Sequence, residues 1–149
     1  MMTKATYDTD PYAWTQAQAA ALRAKDLAAL GLEHVAEQIE SVGMDEKHAI
    51  TRQLQRLLHQ LLRWQYQLTH CTRSWQFSID QARDRIGDVI ERSHSLQTYP
   101  AQRLALDYRR TRRDAITVTG LPASAFPEAC PWSPEQLQDL DFCRRGEEP

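Results

Sequence analysis

The feature that most constrains the fold is a series of apolar residues between positions 50 and 68, spaced alternately four and three apart. At about 100° of helix turn per residue, these side chains fall within one narrow arc. The pattern therefore predicts a long helix, from about Glu46 to Thr69, with one buried face. The arc contains Ile50, Leu54, Leu57, Leu61, Trp64 and Leu68, and Leu58 and Leu62 widen it.

The basic side chains of this helix fall on its opposite side, and we call them the basic stripe. A single-stranded nucleic-acid platform needs aromatic and basic groups on one surface. In this helix Trp64 lies with the leucines, away from the basic groups. This predicts that Trp64 is a core residue and that the basic stripe faces solvent or an acidic partner, although Tyr66 lies nearer the basic side. The candidate interaction stripe consists of Arg52, Arg56, His59, Arg63 and His70.

An acidic stripe is predicted on the preceding helix. Apolar spacing predicts that helix from Leu32 to Val42, with Gly43 at the position of a left-handed C-terminal cap. Glutamates recur on it at steps of four and three residues. They can face the basic stripe within the chain, face it between subunits, or remain solvated, because an exposed pair contributes only about 0–1 kcal/mol. The acidic stripe consists of Glu33, Glu37 and Glu40.

Capping residues and apolar periodicity predict the remaining helices. The first begins at Asp10 and Pro11, and a short last helix starts near Ser133. The fourth runs to about Arg92 from a start at Trp75 or Ser78, or equally near Ser74. The fifth, from about Pro100 to Thr119, ends at Gly120. Its predicted face contains Ala101, Leu104, Tyr108, Ala115 and Val118; that of the fourth contains Ile79, Ala82, Ile86 and Val89.

These elements predict an all-α fold. Because the helices have short connections, we expect a single-domain antiparallel bundle of about five helices over residues 1–149, with frayed ends at 1–9 and 144–149. FPEACPW is expected to form a proline-rich strap from which Phe126 and Trp132 enter the core.

Composition excludes several functional classes. Acids outnumber bases 20 to 18, so no chain-wide basic surface favours nucleic acid. No apolar run approaches the ~18 residues that span a bilayer, which predicts no membrane partner. Three widely spaced cysteines favour free thiols and a cytoplasmic location. The densest charge run, Arg109 to Arg113, is flanked by acids, and a solvated face is favoured there over phosphate contacts.

No complete catalytic or metal-binding set is visible. Di-metal bundles need E-x-x-H pairs on two helices, and none lies within a predicted helix, since the spacing from Glu91 to His94 runs past the predicted helix end at Arg92. Cys71 has His70 and Arg73 nearby, and Cys130 lies in a proline-rich turn, but neither cysteine has an evident base with a third orienting group. We therefore predict no cofactor, no metal and no assigned catalytic residue.

Several segments together resemble a bacterial family catalogued as domain of unknown function 29. These are YDTDPYAW, HVAEQIESVG, LLHQLLRWQYQ, RSWQFSIDQAR, SHSL and the closing TGLPASAFPEACPWSPEQLQDLDF, covering Tyr7 to Phe142. The resemblance implies an all-helical, cytosolic bacterial protein and carries no activity or catalytic residue. Gln38 stands where the family usually has a second glutamate.

Three functional hypotheses follow. The leading one is a non-enzymatic interaction module that binds itself or another protein. The second is a ligand-binding or catalytic cleft around the candidate polar cluster, which we define as Glu37, Glu40, Tyr66 and Arg73. The third is nucleic-acid binding through Arg109 to Arg113, which the acidic composition disfavours.

Overall fold

The computed structural model describes residues 6–66 and 73–139, and throughout these ranges every regular element is helical. This confirms the predicted all-α class. Three short 3-10 turns, at Leu27–Ala29, His94–Leu96 and Ala123–Ala125, separate or follow the longer elements. The α-helices are α1 (Pro11–Arg23), α2 (Leu32–Tyr66), α3 (Arg73–Arg92), α4 (Tyr99–Thr119) and α5 (Pro134–Gln138).

The chain packs as two compact units, and the division falls inside α2. We call residues 1–45 the N-terminal unit and residues 46–149 the C-terminal unit. The single domain inferred from sequence stays a prediction. Of the ends that were expected to fray, residues 6–9 form a turn in which the Asp10 amide donates to the Thr6 carbonyl at 3.1 Å, while 144–149 lie outside the described residues.

The start of α1 is confirmed by its cap. The Asp10 carboxylate accepts a hydrogen bond from the Ala13 amide at 3.0 Å, and Pro11 occupies the first turn, where a missing N–H costs nothing. The helix ends at Arg23, and two residues later Lys25 has a φ of 58°, which lets the Asp26 amide donate to the Ala21 carbonyl at 2.9 Å. The chain can therefore turn back toward α2 without a glycine at that bend.

The predicted helix stop at Gly43 is wrong, because α2 continues through Gly43 and Asp45 to Tyr66. Within the described residues the only glycine with positive φ is Gly120, so Gly43 does not have the backbone conformation of a left-handed cap. A glycine inside a helix costs only about 1 kcal/mol relative to alanine. The helical periodicity on both sides outweighs that cost.

The core of the C-terminal unit is built from α2, α3, α4 and the segment that follows them. The four residues predicted on the buried face of α3 are all buried. From α2, six predicted apolar residues are buried: Ile50, Leu54, Leu57, Leu58, Leu61 and Leu62. Leu68 lies outside the described residues.

The prediction that Trp64 is a core residue is wrong: its side chain is only half-buried. The buried face of α2 follows the row of residues four apart through Leu58 and Leu62, and this row leads to Tyr66, which packs against the core. Because that row drifts around the helix by about 40° per step, Trp64 is left at the edge of the buried face.

The buried face of α4 also differs from the prediction. Leu104, Tyr108 and Ala115 are buried, but Ala101 and Val118 are exposed. The burial of two polar residues, Asp107 and Thr111, completes the inward face. A purely apolar pattern cannot identify such positions.

Side chains of α3 and α4 hold the segment after Gly120 in place. Gly120 has φ 68°, which ends α4 as predicted. The Tyr108 hydroxyl donates to the Pro127 carbonyl at 2.6 Å, and the buried Arg83 donates from Nε to the Leu137 carbonyl at 2.8 Å. Phe126 and Trp132 are buried, as expected from the sequence.

The last helix has the start that its sequence predicts. The Ser133 hydroxyl accepts from the Gln136 amide at 3.1 Å, and the Gln136 side chain accepts from the Ser133 amide at 3.0 Å. This reciprocal capping box satisfies two amides that an isolated helix end leaves unpaired.

Candidate functional site

Exposed apolar side chains are concentrated in the N-terminal unit. Over residues 6–66 and 73–139, nine large apolar side chains are exposed, and seven of them belong to this unit. Such concentration on a short segment differs from the scattered exposure of ordinary surfaces. The seven are Tyr12, Leu22, Leu27, Leu32, Ile39, Val42 and Met44; the other two are Phe77 and Val118.

Three of these side chains share one face of α2, and we call them the apolar stripe. Leu32, Ile39 and Val42 are 67%, 68% and 66% exposed. At 100° per residue they lie within about 80° of arc. Their periodicity predicted a helix face in the sequence, and the structure leaves that face uncovered along most of its length. Val35, between them, is half-buried.

The acidic stripe is also exposed, and at 100° per residue its glutamates lie at least about 80° around α2 from the apolar stripe. Glu37 pairs with Nδ1 of His34 at 3.3 Å, with both side chains about half exposed. The N-terminal unit contains seven acidic and three basic residues, a formal charge of −4, whereas the remaining thirteen acids and fifteen bases give the C-terminal unit +2. The two units therefore differ in the sign of their charge.

Aromatic packing fixes a third side of α2 in the N-terminal unit. The Tyr7 ring stacks on His34 with centroids 4.5 Å apart and meets Trp14 edge-on at 5.1 Å. Gln38 donates to the Tyr7 hydroxyl at 2.8 Å. These contacts use the side of α2 that carries His34 and Gln38. The apolar and acidic stripes remain available.

The basic stripe is less uniform than its sequence spacing indicates. Arg52 and Arg56 are exposed, but His59 and Arg63 are half-buried, and His70 lies outside the described residues. The Arg63 guanidinium sits over the Trp75 ring at 5.0 Å. Burial and the charge of Arg63 lower the pKa of His59 below its ordinary value. A docking role for this stripe stays a prediction.

An open groove of about 440 Å³ runs along α4 in the C-terminal unit. Residues four apart on α4, namely Ala101, Ala105 and Arg109, form one wall, and Glu128 and Trp132 belong to the opposite wall. The walls are mostly small or apolar, and the two charged residues have opposite signs. We call this the α4 groove.

The arginines near this groove divide into two groups. Arg112 donates to the Ala123 carbonyl at 2.8 Å and twice to the Phe126 carbonyl at 3.2 Å, so it holds the segment after Gly120. Arg109, Arg110 and Arg113 are exposed. Treating all four arginines as one solvated run was therefore wrong for Arg112.

Comparison with known proteins identifies a family over almost the whole chain. Residues 6–143 match the model of the family described as "Domain of unknown function DUF29". The chain belongs to the DUF29 family. This confirms the resemblance drawn from the sequence. No curated protein and no solved structure matches this DUF29 chain.

The candidate polar cluster of this DUF29 chain is distributed over both units. Glu37 and Glu40 are exposed in the N-terminal unit. Tyr66, in the C-terminal unit, meets the Phe126 ring edge-on at 6.2 Å, and burial with nearby Cys130 raises the pKa of its phenol. The Arg73 side chain lies outside the description. A shared site of these four residues stays a prediction.

The described cysteine of the DUF29 chain lies in an environment that disfavours a thiolate. Cys130 is half-buried, its thiol donates to the Trp132 carbonyl at 3.4 Å, and burial raises its pKa. Cys71 and Cys143 lie outside the described ranges. Over residues 6–66 and 73–139, no three His, Cys, Asp or Glu side chains form a candidate metal site, and no helix is long and apolar enough to cross a membrane.

Proposed function

We propose that this DUF29 protein is a non-enzymatic cytoplasmic interaction module that self-associates through the apolar stripe of α2. The observation that carries this proposal is the alignment of Leu32, Ile39 and Val42, each about two-thirds exposed, on one helix face. Amphipathic helices dock on partners through residues with this spacing. A module of this kind needs no catalytic set.

Covering the apolar stripe with a binding partner is energetically favourable. Completely burying one side chain of this size stabilises a complex by about 1.5–3 kcal/mol, and each stripe residue retains most of the relevant surface. Three residues in line can therefore form the centre of an interface, where most binding energy is concentrated. Single exposed apolar residues on separate faces have no such effect.

Charge favours a second copy of the chain as that partner. The N-terminal unit carries −4 and the C-terminal unit +2, so contacts between unlike units of two copies are electrostatically attractive. Pairing two N-terminal units with each other would instead bring together two net charges of −4, which repel.

A matched pair of substitutions tests the proposal. Ile39→Lys places a charge in the apolar stripe, whereas Val118→Lys places one at a comparably exposed position, 63% against 68%, on α4. Sedimentation velocity across the micromolar range should show self-association of wild type and the Val118→Lys control. Ile39→Lys should weaken it about tenfold or more.

Circular dichroism should confirm that both variants remain helical. A strictly monomeric wild type would refute self-association. Equal association of the two variants would show that the apolar stripe is not the interface.

A further inference from the structure

Helices α2 and α4 run in the same direction where they meet. The Lys47 ammonium lies 5.3 Å from the centre of the Tyr99 ring, and the Gln55 side chain donates to the Asp107 carboxylate at 3.1 Å. On both helices the second contact comes eight residues after the first. Side chains near Gln55 and side chains near Asp107 therefore lie at the same level along the two helices.

Three arginines lie on the solvent side of this contact, and we call them the basic seam. Arg52 and Arg56 lie about 160° around α2 from the centre of its buried face, and Arg110 lies about 60° from Asp107 on the exposed side of α4. All three are exposed, and none forms an ion pair with a residue that the structure describes. The neighbouring Arg103 differs, because it pairs with Asp107 at 2.9 Å.

The outer face of α3 has the opposite charge. Asp84, Asp88 and Glu91 lie about 145–165° around α3 from the centre of its buried face, and we call them the acidic α3 face. Each is exposed, and none pairs with a cation among residues 6–66 and 73–139. Because α3 packs on the core through Ile79 and Ile86, this face points away from α2 and α4. A single copy therefore cannot bring its acidic α3 face onto its own basic seam.

The two surfaces match in length as well as in charge. The basic seam extends from three residues before Gln55 to three residues after Asp107, about 9 Å, and the acidic α3 face covers about 10 Å. Each surface also holds two like charges four residues apart on one helix, a spacing at which they repel and destabilise that helix. A partner of opposite charge removes this repulsion on both surfaces.

We infer that the basic seam of one copy binds the acidic α3 face of a second copy. The contact joins two C-terminal units and does not use the apolar stripe, so it goes beyond the proposed function and adds a second self-contact. Asp114 lies on the seam side of α4, but it pairs with Arg113 at 3.7 Å. Since the seam and the acidic α3 face lie on opposite sides of the core, copies join head to tail, and the contact closes into a ring or continues as a chain.

Charge reversal on each surface tests the contact. One protein carries Asp84→Lys with Asp88→Lys, and the other carries Arg52→Glu with Arg56→Glu. In sedimentation velocity at low ionic strength, each alone should associate about tenfold more weakly than wild type, because like charges then face each other. An equimolar mixture should recover association, because every seam contact between the two proteins pairs opposite charges. Raising the salt from about 50 mM to about 500 mM should weaken wild-type association, since it screens these exposed charges.

A matched control separates the acidic α3 face from net charge. Glu128→Lys with Glu135→Lys makes the same change in charge on exposed acids of the same unit, away from α3, and should associate as wild type does. Equal weakening by the control and by the α3 variant would overturn the inference. It would also be overturned if the mixture recovers nothing, or if the α3 variant associates as wild type because the acidic stripe occupies the seam. Salt dependence of the wild type tests the contact without relying on the folding of any variant.

The result can be separated from that of the apolar stripe. If Ile39→Lys weakens association while both charge-reversed proteins and high salt leave it unchanged, the inference is overturned and the proposed function stands. If the mixture recovers association and Ile39→Lys behaves as wild type, the proposed function is overturned and the inference stands. A wild type that is monomeric at low ionic strength overturns both.

Discussion

Replacing Gly43 with alanine tests whether α2 is one helix. Gly43 lies inside α2, and a Cβ added there meets no atom within 4 Å. The substitution therefore has no steric cost, and alanine in a helix interior is favoured over glycine by about 1 kcal/mol. We expect Gly43→Ala to increase the free energy of unfolding by about that amount.

Gly120 provides the matched control, since it ends α4 with φ 68°. An alanine held in the left-handed conformation costs about 1–2 kcal/mol, so Gly120→Ala should destabilise the protein. The two glycine-to-alanine substitutions should thus change the free energy of unfolding in opposite directions. The difference arises only from backbone conformation.

Urea unfolding followed by circular dichroism measures both free energies, and hydrogen exchange of amides near residue 43 measures the local effect. In a continuous helix those amides should exchange more slowly in Gly43→Ala. A destabilised Gly43→Ala variant, resembling Gly120→Ala, would show that residue 43 ends a helix and would refute the continuous α2.

Three further predictions follow from contacts of the C-terminal unit. Burial raises the pKa of Tyr108 to about 12. As the pH rises above 10.0, the unfolded chain therefore loses the phenol proton before the folded protein does, and the free energy of unfolding should be lower by ~1.4 kcal/mol near pH 11. Tyr108→Phe should lack this loss in urea titrations; an unchanged alkaline loss would contradict the assignment. The pKa of His59 is lowered in the folded protein, so as the pH falls below 6.5 the unfolded chain takes up the imidazole proton before the folded protein does. His59→Gln should therefore lose less of its free energy of unfolding at acid pH than wild type does. The same acid profile in both proteins would contradict this. Arg112→Gln removes charge-assisted bonds to the Ala123 and Phe126 carbonyls and should cost about 2 kcal/mol in thermal or urea unfolding, with exposed Arg110→Gln as the near-neutral control. Equal effects would contradict a structural role for Arg112.

Helical periodicity in the sequence predicts most of the fold. Caps at Asp10 and Ser133 and the stop at Gly120 are local signals, and each has the expected geometry. The prediction of a helix stop at Gly43 is wrong because glycine is compatible with both a helix interior and a helix end. Only the conformation adopted in the folded chain distinguishes them.

Helical periodicity could not predict which polar side chains are buried. Asp107 is fully buried and accepts hydrogen bonds from Gln55 at 3.1 Å and Arg103 at 2.9 Å. In the sequence it is merely an acid flanking an arginine run. Its partner Gln55 is 52 residues away, so no local pattern links the two. The α4 groove was missed for the same reason, since it forms between distant segments.

The exposure of the apolar stripe was unpredictable because periodicity identifies an apolar face without identifying what covers it. In residues 6–45 only Trp14 and Gln18 are buried. A segment that buries so little apolar surface cannot offset much conformational entropy by itself. If association covers the stripe, it must also stabilise the N-terminal unit, since ligands that bind only the folded state stabilise it by mass action. Amides near Ile39 should therefore exchange more slowly as protein concentration rises in wild type, and not in Ile39→Lys. If exchange in wild type does not depend on protein concentration, self-association does not stabilise the N-terminal unit.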